Sequence, residues 1–269
     1  MMVPPTPQTD FESSRRTGRV DLSVVVPAYN EAGSIRQVVG RLCEVASQAA
    51  GSYEIVVVDD GSIDDTYEIV KSIALTNSSV VALKCPVNSG KGSAVKLAAQ
   101  FVKGNAVVVI DADMEIDPSS LKEYVAILDR FDICVASKRH PQSSYNAPIM
   151  RKFLSVSFNK VIRLATGIRL ADSQTGFKAM RGEHFRRILN VISVKRYAYD
   201  VEILAVAQLL DLKVVESPVR IVQTSQFSKK AIMYMSIDLL GIVYRLRVLK
   251  WYQKNLANPT LKYKPVIPI

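Results

Sequence analysis

Five apolar runs, each followed by a longer polar or amphipathic stretch, constrain the fold of this chain more than any other feature. The runs read LSVVVPAY, YEIVVVDD, VVALKC, AVVVIDAD and ICVAS, and the stretches between them cover 31–50, 64–76, 92–103 and 118–129. Near-continuous valine and isoleucine, without strict alternation of apolar and polar residues, is typical of strands that crossover helices cover on both faces. The pattern therefore predicts an α/β fold built on a parallel sheet.

The rest of the chain shows a different organisation. Residues 1–20 contain no apolar run and are rich in proline, serine, threonine and charge, which predicts a disordered N-terminal arm and no signal peptide. Beyond residue 140 we expect a loop, a helix over 149–166, a short strand in GIRLADSQTGFKAM, a helix from about Asp200 to Leu210 and a strand in KVVESPVRIV. We therefore predict one domain over 21–225 and a C-terminal segment over 226–269.

The charge balance indicates a polyanionic partner. Lys and Arg number 35 and Asp and Glu 25, which gives a formal charge of +10. Nucleic acid, an acidic membrane surface and a phosphorylated substrate all fit this charge, so charge alone does not choose among them. No run of about 18 apolar residues is present, and we expect no membrane span.

Three cysteines bear on the redox environment. Cys43, Cys85 and Cys134 are odd in number, widely spaced and next to apolar residues, which fits neither a disulfide framework nor a zinc knuckle. We expect them to be reduced core side chains of a cytosolic protein.

Acidic residues follow several predicted strands directly. Asp59 and Asp60 end the second run, Asp111 and Asp113 end the fourth, and PAYNE ends the first. The carboxyl ends of parallel strands meet at one edge of the sheet, where ligands collect. If the fourth strand continues, Asp111, Asp113 and Glu115 point the same way, because strand side chains alternate with a period of two. Three such oxygen donors suit Mg²⁺ or Mn²⁺, which keeps waters and binds substrate phosphates.

A structural alternative for these acids is that they only cap the helix that follows. Capping needs one acid, not a row, so we favour it for Asp117 and not for Asp111 or Asp113.

A glycine-flanked lysine precedes the third predicted helix. In NSGKGSAVKLA, Lys91 lies between two glycines at the helix start, where backbone N–H groups and an ammonium can face an anion. The spacing is neither that of a Walker loop nor that of the GxGxxG fingerprint, which argues against a P-loop NTPase and a dinucleotide dehydrogenase.

Several stretches together resemble one enzyme family. VVVPAYNEAGSI, YEIVVVDDGSIDDT, NSGKGSAVKLA, VVVIDADMEIDP and DSQTGFKAM, in this order, resemble family 2 glycosyltransferases over residues 21 to about 220. Within that family the chain is most similar to the polyprenyl-phosphate branch, the dolichyl-phosphate glucose and mannose synthases. The resemblance implies a GT-A fold, a Rossmann-like and mostly parallel sheet flanked by helices, with C-terminal amphipathic helices. It also implies a nucleotide-sugar donor, a polyprenyl (dolichyl) phosphate acceptor and Mg²⁺ or Mn²⁺.

The resemblance assigns roles to individual residues. Those matching the family's site for the donor base and ribose are Pro27, Tyr29, Glu31, Asp59 and Asp60. We also expect Lys91, Asp111 and Ala112 to bind the substrate. Those matching the metal ligands are Asp111, Asp113 and Glu115, the last a carboxylate where glutamine is frequent. Those matching the site for the acceptor phosphate are Arg139, Arg151 and Ser155. The family's donor loop RxxGxSK is degraded here, with Gln223 and Gln226 at its first two marked positions and Ser228 and Lys229 retained.

The chemistry of a phosphate acceptor directs attention to further residues. A lipid phosphate is already ionised near neutral pH, so no general base is needed and the protein must hold two anions together. Lys178 is a cationic candidate, and Asp172 and Gln174 contact the sugar or acceptor unless Asp172 fixes its own turn. We expect Asp200 to cap a helix, Glu202 to pair with a basic neighbour, and neither His140 nor His184 to be catalytic.

The C-terminal segment is apolar and flanked by charge. AIMYMSIDLLGIVY is interrupted by Asp238, and six cations surround it: Lys229, Lys230, Arg245, Arg247, Lys250 and Lys254. Such a segment suits an interfacial helix on an anionic membrane. The alternative is a helix that packs on the domain or contacts a second copy.

The sequence thus predicts an inverting, metal-dependent transferase that moves a hexose from UDP-glucose to polyprenyl phosphate, peripherally at the cytoplasmic face of a membrane. GDP-mannose is the alternative donor, and a hydroxyl acceptor in polysaccharide synthesis is the alternative reaction. A catalytically silent scaffold or basic binding module is the non-enzymatic alternative. We expect no nucleic-acid partner, because no nucleic-acid-binding motif is present. The sequence does not decide whether the protein forms a homo-oligomer.

Overall fold

A computed structural model of the chain describes residues 20–144, 149–173, 175–222 and 229–257, and at 149–154 and 229–232 it describes the backbone alone. The predicted N-terminal arm up to residue 19, Gln174 and the loop with Gln223, Gln226 and Ser228 therefore lie outside the described residues.

The described residues contain a mostly parallel sheet, as the sequence predicts. Its strands are β1 (Val20–Ala28), β2 (Tyr53–Asp59), β3 (Val80–Lys84), β4 (Gly104–Val109), β5 (Ile133–Ser137), β6 (Lys178–Arg181) and β7 (Val214–Pro218). Their order across the sheet is β3-β2-β1-β4-β6-β5-β7. Only β6 runs antiparallel to its neighbours.

Helices connect these strands and cover both faces of the sheet. They are α1 (Ile35–Ala49), α2 (Thr66–Thr76), α3 (Lys91–Ala98), α4 (Leu121–Ile127), α5 (Ile149–Thr166), α6 (Gly182–Val191), α7 (Tyr199–Leu209), α8 (Lys229–Val243) and α9 (Trp251–Leu256). A 3₁₀ turn at Pro118–Ser120 precedes α4, and a π-helical turn at Tyr244–Val248 joins α8 to α9. Neither α6 nor a separate α9 is predicted from the sequence, whereas the bounds predicted for α1 to α5 and for α7 agree with the structure to within five residues.

Two hydrophobic layers lie on the two faces of the sheet. Alternate residues of β1 divide between them: Val24 packs with α1, α2 and α4, whereas Val25 packs with α3, α6 and α7. Burial of each such side chain contributes about 1.5–3 kcal/mol to folding. The unbroken valine runs are thus explained, because a strand covered on both faces has no solvent-facing positions.

The antiparallel direction of β6 positions part of the site. Val109 at the end of β4 pairs with Lys178 at the start of β6. Residues 175–177, which lead into β6, therefore lie at the edge where β1, β2 and β4 end. Two distant sequence motifs meet at this edge because one strand runs against the others.

The C-terminal helices pack on the domain along one side. Leu239, Ile242 and Tyr252 are buried and belong to the same core layer as α7. Within the described ranges no helix is both long and apolar enough to cross a membrane.

The cysteines are free, as predicted, and Cys85 and Cys134 are buried whereas Cys43 is partly buried. Burial raises the pKa of the Cys85 thiol to about 12 and that of Cys134 to about 11, so both are unreactive at neutral pH.

Candidate active site

Two loops at the ends of β1 and β2 form one side of the site. Pro27 is buried in β1, and Tyr29, directly after the strand, is 43% exposed. The backbone N–H of Glu31 donates to Thr66 Oγ1 at 2.8 Å, and its carboxylate accepts from Ser34 Oγ at 2.8 Å. The exposed tyrosine ring therefore projects from a loop held by hydrogen bonds, as a surface for a planar ring would require.

The two aspartates after β2 are buried and already hydrogen bonded. Asp59 accepts from the backbone N–H of Ser62 at 3.2 Å. Asp60 accepts from the N–H groups of Ser89 at 3.0 Å and Gly90 at 2.7 Å, one on each carboxylate oxygen. Burial raises the pKa of Asp60, and these hydrogen bonds oppose the rise. Asp60 thus anchors the loop that leads to Lys91.

An ion pair lies at the centre of the edge. Lys91, the first residue of α3, pairs through Nζ with Asp111 Oδ1 just after β4. Burial is the largest single influence on the pKa of Lys91 and lowers it, but the charges of Asp111, Tyr199 and Asp200 and the hydrogen bond to Asp111 together raise this pKa well above its ordinary value. Gly176 lies against this pair, and a Cβ there would overlap Asp111 and come within 2.9 Å of Lys91 Nζ. The motif DSQTGF therefore requires a glycine at this position.

The acidic stretch after β4 turns and does not continue the strand. Asp113 Oδ1 accepts from the backbone N–H of Glu115 at 3.0 Å, and Met114 has a φ of 51°, in the left-handed region. Glu115 directs its carboxylate to Lys138 Nζ at 3.0 Å. The prediction that Asp111, Asp113 and Glu115 form a row along a continued strand is therefore wrong, because the chain turns at Met114. Among the described residues no three Asp, Glu, His or Cys side chains are grouped for a metal ion.

Two of the three predicted ligands still fit a divalent cation. Asp111, Asp113 and Gly176 line one small pocket, together with Ile110, Glu115, Ile116 and Lys138. Burial raises the pKa of Asp113, and the charges of Asp111 and Glu115 raise it further. Mg²⁺ is usually held by one or two carboxylates plus phosphates and water. Asp111 and Asp113 provide the two carboxylates. Ala112, between the two aspartates, is buried.

The predicted acceptor residues lie after β5 and on α5. Arg139 Nη2 donates to Ser155 Oγ at 3.1 Å, so the structure brings these two together. Arg151 lies one turn before Ser155 on α5, and its side chain is outside the described residues, as is that of Lys229. Lys138, next to Arg139 in the chain, is the residue that holds Glu115. The residues that follow β5 therefore contact the acidic turn through Lys138.

Lys178 has a structural position. Its side chain is 1% exposed, and its ammonium pairs with Asp200 at 2.7 Å and donates to the Thr175 carbonyl. Asp200 does not cap α7 as expected, because it lies inside the first turn of the helix and its carboxylate faces Lys178. We therefore correct the role of Lys178 from acceptor binding to support of the fold.

Asp172 fixes its own turn, one of the two roles that the sequence analysis considered. Its Oδ2 accepts from the Lys138 N–H at 3.1 Å and from Thr175 Oγ1 at 2.8 Å. Its own N–H donates to Glu216 at 2.9 Å. Asp172 thereby links the segment before β6 to the residues that follow β5.

Two minor predictions, on Asp117 and Glu202, are confirmed. Asp117 caps the 3₁₀ turn, with its side chain accepting from the Ser119 N–H at 3.0 Å. Glu202 pairs with Arg245 at 3.5 Å and accepts the N–H groups of Ser193 and Val194. His184 lies by Asp132 at 3.5 Å, away from the pocket described above.

The C-terminal segment packs on the domain through one side of α8 and exposes apolar side chains on the rest of that helix. One side of α8 is buried, and Asp238 pairs with Arg196 at 3.2 Å. Other side chains of α8 and of α5, which contacts it, are apolar and exposed: Val156, Val161, Leu164, Met233, Ile237 and Leu240. We call these six residues the apolar face.

Lys138, Gly176 and Tyr199 contribute to the site and were missed from the sequence. Lys138 stands beside the arginine chosen in ASKR, and Gly176 is the only glycine of DSQTGF, so both had a weak local signal. Tyr199, whose ring centroid is 5.7 Å from Lys91 Nζ, had none, because α7 is far from α3 in sequence.

Comparison with known proteins gives a consistent family. The model described as Glycosyl transferase family 2 matches residues 23–189. Two dolichyl-phosphate beta-glucosyltransferases of Trichomonas vaginalis are similar: ALG5C is 29% identical, covering 94% of this chain and 80% of that protein. ALG5A is 31% identical, covering 86% and 76%.

Solved structures share the fold. Glucosyl-3-phosphoglycerate synthase from Mycobacterium tuberculosis, in complex with Mn²⁺, UDP-glucose and phosphoglyceric acid, superposes with a TM-score of 0.63 at 17% identity. The match covers 84% of this chain and 79% of that chain. The same protein was also solved with Mg²⁺ and UDP.

Proposed function

The chain belongs to glycosyltransferase family 2 and has the GT-A fold, and on that premise we propose that it transfers glucose from UDP-glucose to dolichyl or another polyprenyl phosphate. The observation that carries the proposal is that Lys138, the chain neighbour of Arg139, lines one pocket with Asp111 and Asp113, while Arg139 itself is hydrogen bonded to Ser155. The names of the two Trichomonas relatives support the lipid phosphate as acceptor and glucose as the sugar.

On the donor side the chain's own residues hold the nucleotide diphosphate. Tyr29 offers an exposed ring to the base, and Asp59 and Glu31 offer carboxylates to ribose hydroxyls. Asp111 and Asp113 would hold Mg²⁺ or Mn²⁺, which when bound neutralises negative charge on the departing diphosphate. Lys91 adds a positive charge at the same place.

On the acceptor side the residues hold a phosphate and remove no proton. Arg139 and Ser155 are hydrogen-bond donors 3.1 Å apart, which suits two oxygens of one phosphate. The phosphate oxygen attacks the anomeric carbon from the side opposite the diphosphate, which leaves with the bond electrons, so the configuration inverts. The nearby carboxylates of Glu115 and Asp172 are already hydrogen bonded or ion paired. A phosphate acceptor fits this site because it needs no base.

The choice of donor is tested by running labelled UDP-glucose and GDP-mannose in parallel with the same polyprenyl phosphate. We expect label in the organic phase from UDP-glucose alone. Label from GDP-mannose alone would assign the chain to mannosyl transfer and would contradict our choice of sugar.

Ser155→Ala is expected to raise the KM for polyprenyl phosphate about fivefold, because one hydrogen bond of about 1 kcal/mol to the phosphate is lost. The KM for the nucleotide sugar should not change. Initial rates at varied lipid concentration measure this. Ser157→Ala, on the same helix, is the matched control and should leave both constants unchanged. An equal rise in both KM values for Ser155→Ala would contradict an acceptor role.

For the location we propose peripheral attachment at the cytoplasmic face of a membrane. The apolar face is flanked on its helices and just beyond them by exposed cations: Lys160, Arg163, Lys250 and Lys254. Apolar side chains beside cations suit the headgroup boundary of an anionic bilayer. Attachment there would bring the site to an acceptor that is dissolved in lipid.

The double variant Ile237→Glu, Leu240→Glu is expected to lower partitioning onto anionic vesicles by about 10²- to 10⁴-fold, because two apolar side chains worth about 1.5–3 kcal/mol each can no longer be buried. Co-sedimentation measures the effect. The control is Leu75→Glu, an equally exposed leucine on α2, which should sediment like the unmodified protein. Unchanged sedimentation of the double variant, with loss of an oligomer in size-exclusion chromatography, would instead assign the apolar face to a contact between copies.

A further inference from the structure

We propose that Lys91 is a built-in counter-ion that competes with the divalent cation for Asp111 and passes to the donor diphosphate when that cation binds. The proposal rests on the function proposed above for the nature of the donor, and it makes Lys91 a positioning residue for the metal as well as a ligand for phosphate.

The first support is that Lys91 forms an ion pair with Asp111, which is a predicted metal ligand. Its Nζ contacts Asp111 Oδ1, and the side chains are 17% and 35% exposed. The contact is therefore partly screened from water, yet its outer side stays open to a ligand. A cation that approaches Asp111 from the pocket must share or displace the ammonium, because both are attracted to one carboxylate.

The second support is that the backbone around Lys91 is held in place while its side chain stays 17% exposed. A Cβ at Gly92 would lie 2.6 Å from the Val194 carbonyl oxygen, and one at Gly90 would lie 2.6 Å from that of Lys195. The start of α3 is thus packed tightly on 194–195. Lys91 can therefore change its ion-pair partner only by rotation of its flexible side chain. This rotation can move the ammonium by more than the length of a hydrogen bond.

The third support is the arrangement behind Lys91. The carboxylate of Asp200 already has its own ammonium, that of Lys178 at 2.7 Å. Lys91 Nζ lies over the face of the Tyr199 ring, 5.7 Å from the ring centroid. The direct ion-pair partner of Lys91 is therefore Asp111, at the pocket, and that of Asp200 is Lys178.

Competition for Asp111 has a signature that a purely structural or purely phosphate-binding lysine lacks. Removing a positive charge beside a cation site increases the affinity for the cation, whereas removing it beside a phosphate decreases the affinity for the phosphate. The two effects of a single substitution should therefore have opposite signs.

The test is Lys91→Met, which removes the charge and keeps most of the stem. Mn²⁺ binding without nucleotide is measured by electron paramagnetic resonance of the free ion, and nucleotide binding by calorimetry at saturating Mn²⁺, with UDP or GDP, whichever the unmodified protein binds. We expect Mn²⁺ to bind about tenfold tighter and the nucleotide about tenfold weaker. Lys122→Met, an exposed lysine on α4, is the matched control and should change neither.

Lys91→Arg keeps the positive charge but changes the shape of the side chain. It therefore distinguishes competition between charges for Asp111 from an effect of side-chain packing. We expect it to bind Mn²⁺ no tighter than the unmodified protein, and it also serves if Lys91→Met does not fold. Equal or weaker Mn²⁺ binding by Lys91→Met, or tighter binding by Lys91→Arg, would overturn the proposal. Neither binding measurement uses a lipid or a sugar, so a failure of lipid glycosylation would reject the proposed function and leave this result standing.

Discussion

Asp113→Asn is expected to lower kcat for sugar transfer by about 10²- to 10³-fold, the largest effect on activity that the structure predicts. Asparagine is nearly isosteric, and its carbonyl can still accept the hydrogen bond that Asp113 receives from the Glu115 N–H at 3.0 Å. The turn is therefore kept, and only the negative charge at the proposed cation site is lost. Initial rates at saturating donor and acceptor, over a series of Mn²⁺ concentrations, measure the change.

The control is Asp129→Asn, which makes the same substitution at an exposed position after α4. Its kcat should equal that of the unmodified protein. A loss smaller than tenfold for Asp113→Asn, with unchanged dependence on Mn²⁺, would show that Asp113 does not hold the cation.

Lys178→Met is expected to lower the free energy of unfolding by about 3–5 kcal/mol, the largest effect on stability. Lys178 is 1% exposed and pairs with the equally buried Asp200 at 2.7 Å, so the substitution leaves a carboxylate without its ammonium. Burial raises the pKa of Asp200, and the charge of Lys178 opposes that rise, so without Lys178 this pKa rises further. Urea unfolding measures the loss of stability.

The double variant Lys178→Met, Asp200→Asn should recover most of this stability, because no buried charge is left without a partner. A folded and stable Lys178→Met protein that no longer uses polyprenyl phosphate would contradict the structural role. It would return Lys178 to the acceptor site, where the sequence analysis placed it.

The sheet and its catalytic edge could be predicted because they depend on local sequence. Continuous valine in β1, β2 and β4 reports burial on both faces, and acids at the ends of β2 and β4 must then meet at one edge. The same argument places Arg139 at this edge, since it follows β5. These inferences need no knowledge of which distant residues touch.

The remaining features depend on long-range contacts or on turns. The direction of β6 is set by its neighbours β4 and β5, and four residues carry too little pattern to reveal it. Periodicity could not show that the chain turns at Met114, where a non-glycine residue adopts a positive φ. The pairing of Lys178 with Asp200 was hidden because the two residues are 22 positions apart and each had a plausible local role.

The central claim, that a lipid phosphate receives the sugar, is tested most directly by a three-way transfer assay with the purified chain. Labelled UDP-glucose and Mn²⁺ are incubated with polyprenyl phosphate, with the matching polyprenol, or without lipid, and organic-phase label is counted against released UDP. We predict equal amounts of labelled lipid and UDP with polyprenyl phosphate only, abolished by a chelator. Label that stays in water, or that enters polyprenol equally well, would contradict the account.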